Sequence, residues 1–184
     1  ISLNSVTASG SVSNSGATID NSSSATPKTI TLSGNNVFSG NWNIGVLITS
    51  KGLITVNNLT ASNNGVSGTS GYGANLNNLS ASPAAGITLN GTNSFNNNYG
   101  TGLTISTLGA IKVNNLTASG SIGSNTYGAV LVNSSGAPAV ASVMLTGSNT
   151  FNGNRLTNLT INSAGTVTIS NLTANDAVDG YGAV

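Results

Sequence analysis

The sequence predicts an all-β protein built as a parallel β-helix, or β-solenoid, of about seven coils. Three features support this prediction: a long internal repeat, apolar residues that alternate with small polar ones, and breaks rich in glycine, asparagine and serine. Alternation with a period of two places successive side chains on opposite faces of a strand. A fixed repeat of this length is typical of solenoids, in which each unit stacks on the preceding one.

The repeat is about 57 residues long. The stretch ITLSG at Ile30 returns as ITLNG at Ile87 and as VMLTG at Val143, and ITVNNLTAS at Ile54 returns as IKVNNLTAS at Ile111. Each repeat therefore divides into a shorter and a longer coil. A single solenoid segment without caps is predicted, with coils at residues 1–29, 30–53, 54–86, 87–110, 111–142, 143–166 and 167–184.

The alternating residues predict a continuous aliphatic core. One wall would have at its first inward position Ile1, Ile30, Ile54, Ile87, Ile111, Val143 and Val167. A second wall would have Val46, Leu103 and Leu159 with Ile48, Ile105 and Ile161 in the shorter coils, and small or aliphatic residues in the longer ones. Each fully buried aliphatic side chain contributes about 1.5–3 kcal/mol. The stacked columns are therefore expected to order the chain without ion pairs.

The composition excludes several classes of partner. The chain has four Lys and Arg, three Asp and Glu, and no His or Cys, which gives a net charge of +1. Nucleic acids and anionic membrane surfaces are bound by clustered positive charges, so neither is expected as a partner. No apolar run approaches the roughly 18 residues of a membrane span, so membrane insertion is not expected either.

Residues for enzymatic catalysis are not found in this sequence. Glycoside-cleaving β-helices need paired carboxylates, and nucleophilic catalysis needs a base to activate the nucleophile. Asp20 lies several predicted coils away from Asp176 and Asp179. The latter two, in the stretch NDAVDG, are weak candidates for a cation site, with solvated turn residues as the alternative. We expect no enzyme activity and no cofactor.

Aligned asparagines have two interpretations. Asn57, Asn58, Asn114, Asn115 and the run Asn96–Asn98 could form ladders in which each side chain bonds to an equivalent one in the next coil. Alternatively, the Asn-Leu-Thr pattern predicts acceptors for N-linked glycans. Those candidate glycosylation sites are Asn58, Asn115 and Asn171.

The alternation of ITLNGTNSFNNN with IKVNNLTASG and YGAVLVNSS resembles the right-handed parallel β-helix repeats of bacterial haemagglutinin-like and adhesin-type surface proteins. The resemblance covers the whole chain. It implies a secreted or surface-anchored rod that presents loops to a surface, a matrix or other cells. No binding residue follows from it, because the shared motif consists of core and corner positions.

Candidate contact residues are those that the repeat places outside the core. Trp42, Tyr99 and Arg155 share one repeat position after an asparagine run, where planar groups can stack on sugars or on a neighbouring rod. Three further outward apolar residues are candidates for side-by-side association, namely Leu47, Val130 and Met144. The loops that follow each TAS element also vary in length, as recognition loops of solenoids do.

These features predict an extracellular or cell-surface structural and adhesive rod, part of a surface fibre or filament. Its expected partners are like chains, end to end or side by side, a longer parent array, and surface glycans. A carbohydrate-binding or carbohydrate-active β-helix is the alternative. An ice-binding solenoid is less favoured, because Lys112 and Met144 interrupt the outward threonine column of the first wall.

Overall fold

The computed structural model describes residues 1–133 and 141–184, and these residues form three parallel β-sheets. Sheet 1 contains β1 (Ser2–Asn4), β3 (Ile30–Ser33), β6 (Ile54–Asn57), β9 (Ile87–Asn90), β12 (Ile111–Asn114), β15 (Val143–Thr146) and β18 (Val167–Ile169). Sheet 2 contains β4 (Asn36–Val37), β7 (Leu59–Thr60), β10 (Asn93–Ser94), β13 (Leu116–Thr117), β16 (Asn149–Asn152) and β19 (Leu172–Asn175). Sheet 3 contains β2 (Ala17–Asp20), β5 (Val46–Thr49), β8 (Ala74–Asn77), β11 (Leu103–Ser106), β14 (Ala129–Val132) and β17 (Leu159–Asn162).

The chain passes through sheets 1, 2 and 3 in turn, and each strand pairs in parallel with its equivalents in the adjacent coils. The predicted parallel β-helix is therefore confirmed. In the first coil Thr7 pairs with Val37 of sheet 2, and in the last coil Ala183 pairs with Leu159 of sheet 3. The strands of sheet 1 begin at the predicted coil starts or one residue later. Residues 134–140, within the predicted coil 111–142, lie outside the described residues.

Sheets 1 and 3 enclose the aliphatic core that the alternation predicts. The strand registers pair Ile30 with Ile54, Ile54 with Ile87, and Ile87 with Ile111, and all four side chains are fully buried. In the end coils the same column is about half exposed, at 47% for Ile1 and 44% for Val167, because only one adjacent coil covers them. Stacking between coils is therefore what buries this core.

Sheet 2 has a different interior, which the sequence analysis did not predict. Each shorter coil contributes an inward Asn and an inward Phe, and each longer coil contributes an inward aliphatic residue, Leu or in the first coil Val6, and an inward Ala. Phe151 pairs with Ala174, and Asn149 with Leu172. A large side chain thus stacks on a small one, as the close packing of a protein interior requires. The buried phenylalanines are Phe38, Phe95 and Phe151.

A buried asparagine in each shorter coil bridges the longer coils on either side. Asn93 is fully buried, and its Oδ1 accepts a hydrogen bond from the Leu59 N–H at 3.2 Å. Its Nδ2 donates to the carbonyl of Asn114 in the following longer coil at 2.8 Å. Asn36 and Asn149 make the equivalent bonds. These amides satisfy backbone groups that would otherwise be buried without a partner.

Two columns of left-handed residues flank sheet 2, one on each side. The first column is Ser5, Gly34, Asn58, Gly91, Asn115, Gly147 and Asn171, and the second is Gly10, Gly40, Asn63, Asn97, Gly120, Gly153 and Asp176. All fourteen have positive φ angles, a conformation that glycine and asparagine adopt most readily. The repeated Gly and Asn positions of the sequence therefore mark the corners of the coil.

The predicted asparagine ladders form at some positions and not at others. The Asn64 Nδ2 donates to Asn98 Oδ1 at 3.1 Å, and the Asn90 Nδ2 donates to Asn57 Oδ1 at 3.1 Å. The expectation is wrong for Asn58 and Asn115, since glycines occupy their column in the adjacent coils. The Asn115 Nδ2 donates instead to the Gly91 carbonyl at 3.1 Å.

Candidate functional site

The stack of coils aligns seven residues in one outward column, which we call the edge column. It consists of Val12, Trp42, Gly65, Tyr99, Ile122, Arg155 and Val178. From Trp42 onward, the backbone N–H of each member donates to a backbone carbonyl of the preceding coil. That carbonyl belongs to the residue immediately before the preceding member of the column. For example, the Trp42 N–H donates to the Ser11 carbonyl, and the Tyr99 N–H to the Asn64 carbonyl, both at 2.7 Å. The predicted position of Trp42, Tyr99 and Arg155 in one column is thus observed, with one longer-coil residue between each pair.

The edge column carries much of the exposed apolar surface. The exposed fraction is 84% for Val12, 65% for Ile122, 60% for Val178 and 46% for Trp42. With about 4.8 Å between coils, the column is roughly 29 Å long. Val12 and Trp42 are neighbours in the column, and adjacent exposed apolar side chains mark interaction sites more often than scattered single residues do.

A buried asparagine ladder directly supports the middle of this column. Asn41, Asn64 and Asn98 precede Trp42, Gly65 and Tyr99, and each is at most 2% exposed. The Asn41 N–H and Nδ2 both donate to Asn64 Oδ1 at 3.0 Å. The Asn64 N–H donates in turn to Asn98 Oδ1 at 2.9 Å. A satisfied buried network of this kind fixes the backbone, so the side chains of the edge column project from a rigid base.

Trp42 lies in an open groove of about 330 Å3, which we call the Trp42 groove. Its other lining residues include Val12, Val66 and Asn63. Gly10 and Gly40 also line it, and no atom lies within 4 Å of where a Cβ would be at either. The groove therefore combines an indole, two aliphatic side chains, an amide and bare backbone, without an ionisable group.

Tyr99 lies in a second open groove of about 160 Å3, which we call the Tyr99 groove. Its lining is richer in hydroxyl groups, from Thr69, Ser70, Thr101, Ser124, Thr126 and Tyr72, and it also contains Asn125. Val66 of the Trp42 groove and Thr69 and Ser70 of the Tyr99 groove belong to one loop of the third coil. This loop is one of those whose length varies between the longer coils.

The charged end of the edge column is an ion pair. The Arg155 Nε lies 2.6 Å from the Asp179 Oδ2, and both side chains are about half exposed. The two aspartates proposed as a cation site therefore differ, because Asp179 pairs with arginine while Asp176 occupies a left-handed corner with φ of 56°. Among the described residues, no three His, Cys, Asp or Glu side chains cluster as a metal site would require.

The remaining carboxylate, Asp20, is the last residue of β2 in the first coil, whereas Asp176 and Asp179 belong to the last coil. Hydrogen bonds from the Ser22 hydroxyl and backbone N–H lower the pKa of the Asp20 carboxyl below its ordinary value of 3.8. The Ser22 N–H donates to Asp20 Oδ1 at 2.7 Å. This contact closes a turn after β2.

The other predicted contact residues lie on different faces of the rod. Leu47 pairs with Thr18 and Asn75 in sheet 3, and Val130 pairs in the same sheet with threonines of the adjacent coils. Met144, 38% exposed, pairs with Lys112 in sheet 1. These side chains are single outward residues of the two aliphatic walls, and the structure does not bring them together with Trp42.

Sheet 2 carries an outward hydroxyl column that the sequence analysis missed. The strand registers align Thr7, Val37, Thr60, Ser94, Thr117, Thr150 and Thr173. A second column two residues later consists of Ser9, Ser39, Ser62, Asn96, Ser119, Asn152 and Asn175. The side-chain oxygen of each of the first six accepts from the backbone N–H of the next member, in the following coil. This face is regular and uncharged.

The candidate glycosylation sites lie at the corner between sheets 1 and 2. Asn58 and Asn115 are half-buried and Asn171 is exposed. In each, Nδ2 donates to a glycine carbonyl of the preceding coil, with distances of 3.1 to 3.4 Å. A glycan on Nδ2 would have to keep or replace that bond. Glycosylation stays a prediction, which the intact mass of native material tests.

Comparison with known proteins finds no matching family model, no matching curated protein and no matching solved structure. Within the described residues, no helix has the length and apolar character needed to cross a membrane.

Proposed function

We propose that the protein is a non-enzymatic structural and adhesive module, an extracellular or cell-surface β-helical rod within a surface fibre or filament. The observation that carries this proposal is the edge column, which projects apolar and planar side chains from a rigid and nearly uncharged solenoid. A second support is the resemblance of the repeats to those of adhesin-type surface proteins. The walls are the structural part of the module, and the edge column is its contact surface.

The partners of such a rod are surfaces and like chains. Apolar side chains such as Trp42 and Ile122 gain contact area when they meet another surface, at about 25 cal/mol for each Å2 removed from water. With a net charge of +1, the chain has little repulsion to oppose contact between copies. Contacts end to end, side by side or within a longer parent array all fit this proposal.

Adhesion under flow tests the proposal. Beads coated with the protein are passed over films of cellulose, chitin and mucin and over intact bacterial cells, with albumin-coated glass as the background. We expect retention above background on at least one of these surfaces. Retention at background on all of them would refute an adhesive role. Electron microscopy of the same preparation distinguishes long uniform fibres, expected for a filament subunit, from separate rods.

Ice binding is a second candidate, and the outward column of sheet 2 specifically favours it. Five of its seven members are threonines, and the other two are Val37 and Ser94. The backbone fixes the spacing of this array, with about 4.8 Å between coils and about 6.6 Å between the two outward columns. A measurement of thermal hysteresis decides it: a gap between freezing and melting temperatures that Thr117→Lys removes would support ice binding, and no gap would exclude it.

A further inference from the structure

The Trp42 and Tyr99 grooves share a composition that suggests one class of ligand. Each contains an aromatic ring of the edge column together with an exposed asparagine in the left-handed conformation, Asn63 in one and Asn125 in the other, both with φ of 57°. Both asparagine side chains are exposed to solvent. Each groove therefore contains an aromatic side chain and a solvent-exposed amide.

Such a surface matches the chemistry of a neutral sugar. One face of a hexose ring exposes C–H groups that pack on an aromatic ring, and its adjacent hydroxyls both donate and accept, as an amide does. No lining residue of either groove carries a charge. A charged ligand would gain no ion pair there and would lose part of its hydration. The lining therefore favours a neutral ligand over an acidic one.

The arrangement of the two grooves suggests a ligand with repeated units. Trp42 and Tyr99 are two coils apart, which corresponds to roughly 9.6 Å along the axis. Gly65 lies between them, and a Cβ at Gly65 would collide with Gly71 and lie 2.9 Å from the Tyr99 Cβ. Gly71 and Thr69 of the third-coil loop thus fill the space over Gly65, and a ligand that reaches both grooves has to pass over this loop.

We propose that these grooves are paired binding sites for a neutral hexose oligosaccharide, one sugar packing on Trp42 and a second on Tyr99. Asn63 and Asn125 hydrogen-bond the hydroxyls of these sugars. Binding of both ends of one ligand raises its affinity, because the second contact is intramolecular. This proposal rests on the adhesive function proposed above and names the ligand of its contact surface.

Trp42 is the single tryptophan of the chain, so its fluorescence reports on the first groove alone. The probes are cellohexaose, maltohexaose and mannohexaose, with the disaccharide of each as a short control and hexagalacturonate as a charged control. We expect a saturable change in fluorescence with at least one neutral hexasaccharide, weaker binding of its disaccharide, and no change with hexagalacturonate. No change with any neutral hexasaccharide at millimolar concentration would overturn the proposal.

Two variants test the assigned contacts without removing the tryptophan. Asn63→Gly keeps a residue that tolerates the positive φ and removes the amide, so binding should weaken about three- to tenfold, as for one hydrogen bond. Tyr99→Ala should reduce binding of the hexasaccharide to the level of its disaccharide. Met144→Ala, on another face, is the control and should bind as the wild type does. Unchanged binding by both groove variants would refute the assigned sites.

Adhesion distinguishes a failure of this proposal from a failure of the proposed function. If coated beads are retained on a surface but no hexasaccharide binds, the sugar sites are wrong and the adhesive role stands. If the beads are not retained on any surface, the adhesive role is wrong, whatever the result with the hexasaccharides.

Discussion

Sheets 1 and 3 differ from sheet 2 in what holds neighbouring coils together. In sheets 1 and 3, inward side chains such as Ile54 and Ile105 stack in aliphatic columns and are fully buried. In sheet 2, fully buried asparagines such as Asn93 bridge the coils on both sides through their amides. Area removed from water stabilises all three walls, and in sheet 2 satisfied polar groups add to it.

The largest expected effect comes from placing a charge in the aliphatic wall. Ile105→Asp puts a carboxylate where the side chain is fully buried between coils, and the loss should exceed about 4 kcal/mol. We expect no folded state by circular dichroism and thermal melting. Thr104→Asp, at the adjacent outward position, is the control and should fold. A folded Ile105→Asp variant with wild-type melting would contradict the inward assignment.

The second effect tests the polar wall. Asn93→Leu adds apolar surface but leaves the Leu59 N–H and the Asn114 carbonyl without their partner, at about 1–3 kcal/mol for each group. We expect a loss of about 2–4 kcal/mol in the free energy of unfolding, measured in urea. Asn75→Leu makes the same substitution at an outward position of sheet 3 and should change stability by less than about 0.5 kcal/mol. A stabilised Asn93→Leu variant would show that sheet 2 is held together by buried apolar side chains alone, as sheets 1 and 3 are.

The third effect concerns the corners of sheet 2. Gly147 and Gly153 both have positive φ, of 72° and 62°, but a Cβ at Gly147 would collide with Asn115 Oδ1, whereas nothing lies within 4 Å at Gly153. Gly153→Ala should lose about 1–2 kcal/mol from the conformation alone. Gly147→Ala should lose at least about 1 kcal/mol more, because the Asn115 amide also bonds the Ser148 N–H. Equal losses in urea unfolding would show that the asparagine does not hold the corner.

The smallest effect is that of pH, since neither kind of wall depends on charge. The lowered pKa of Asp20 stabilises the fold at pH values above the pKa of the unfolded chain, and this contribution is lost as the pH falls through the folded-state value. The melting temperature should therefore be flat between about pH 5 and 9 and decrease slightly in acid. Asp20→Asn should remove part of that decrease. A steep change near neutral pH would contradict this interpretation, because the chain has no histidine.

The same contrast explains what the sequence could predict. The walls of sheets 1 and 3 follow from simple alternation, as in Ile30-Thr31-Leu32. Sheet 2 was missed because most of its strands have only two residues and Asn36, Asn93 and Asn149 stand where an apolar residue is expected. The left-handed residues around it were visible as repeated Gly and Asn positions. Their spacing alternates between five and six residues, which obscures the repeat.

The edge column was predicted in part. Trp42, Tyr99 and Arg155 were found because the shorter coils align without gaps. Val12, Ile122 and Val178 were missed although each lies four residues after the alanine of its TAS-type element, because the whole loop after that element was treated as variable. A usable signal exists, since every member of the edge column lies two residues after a left-handed Gly, Asn or Asp. The grooves themselves depend on how the loops fold, and the repeat does not specify that.

In the function proposed above, the walls are structural and the edge column makes the contacts. Bead retention under flow tests this division of roles, on whichever surface retains the wild-type protein. The edge variant Trp42→Ala/Tyr99→Ala is compared with the wall variant Leu47→Ala/Met144→Ala, both verified as folded by thermal melting. We predict that the edge variant falls to the albumin background and that the wall variant is retained as the wild type is. Retention of the edge variant at the wild-type level, or loss of the wall variant alone, would contradict the claim.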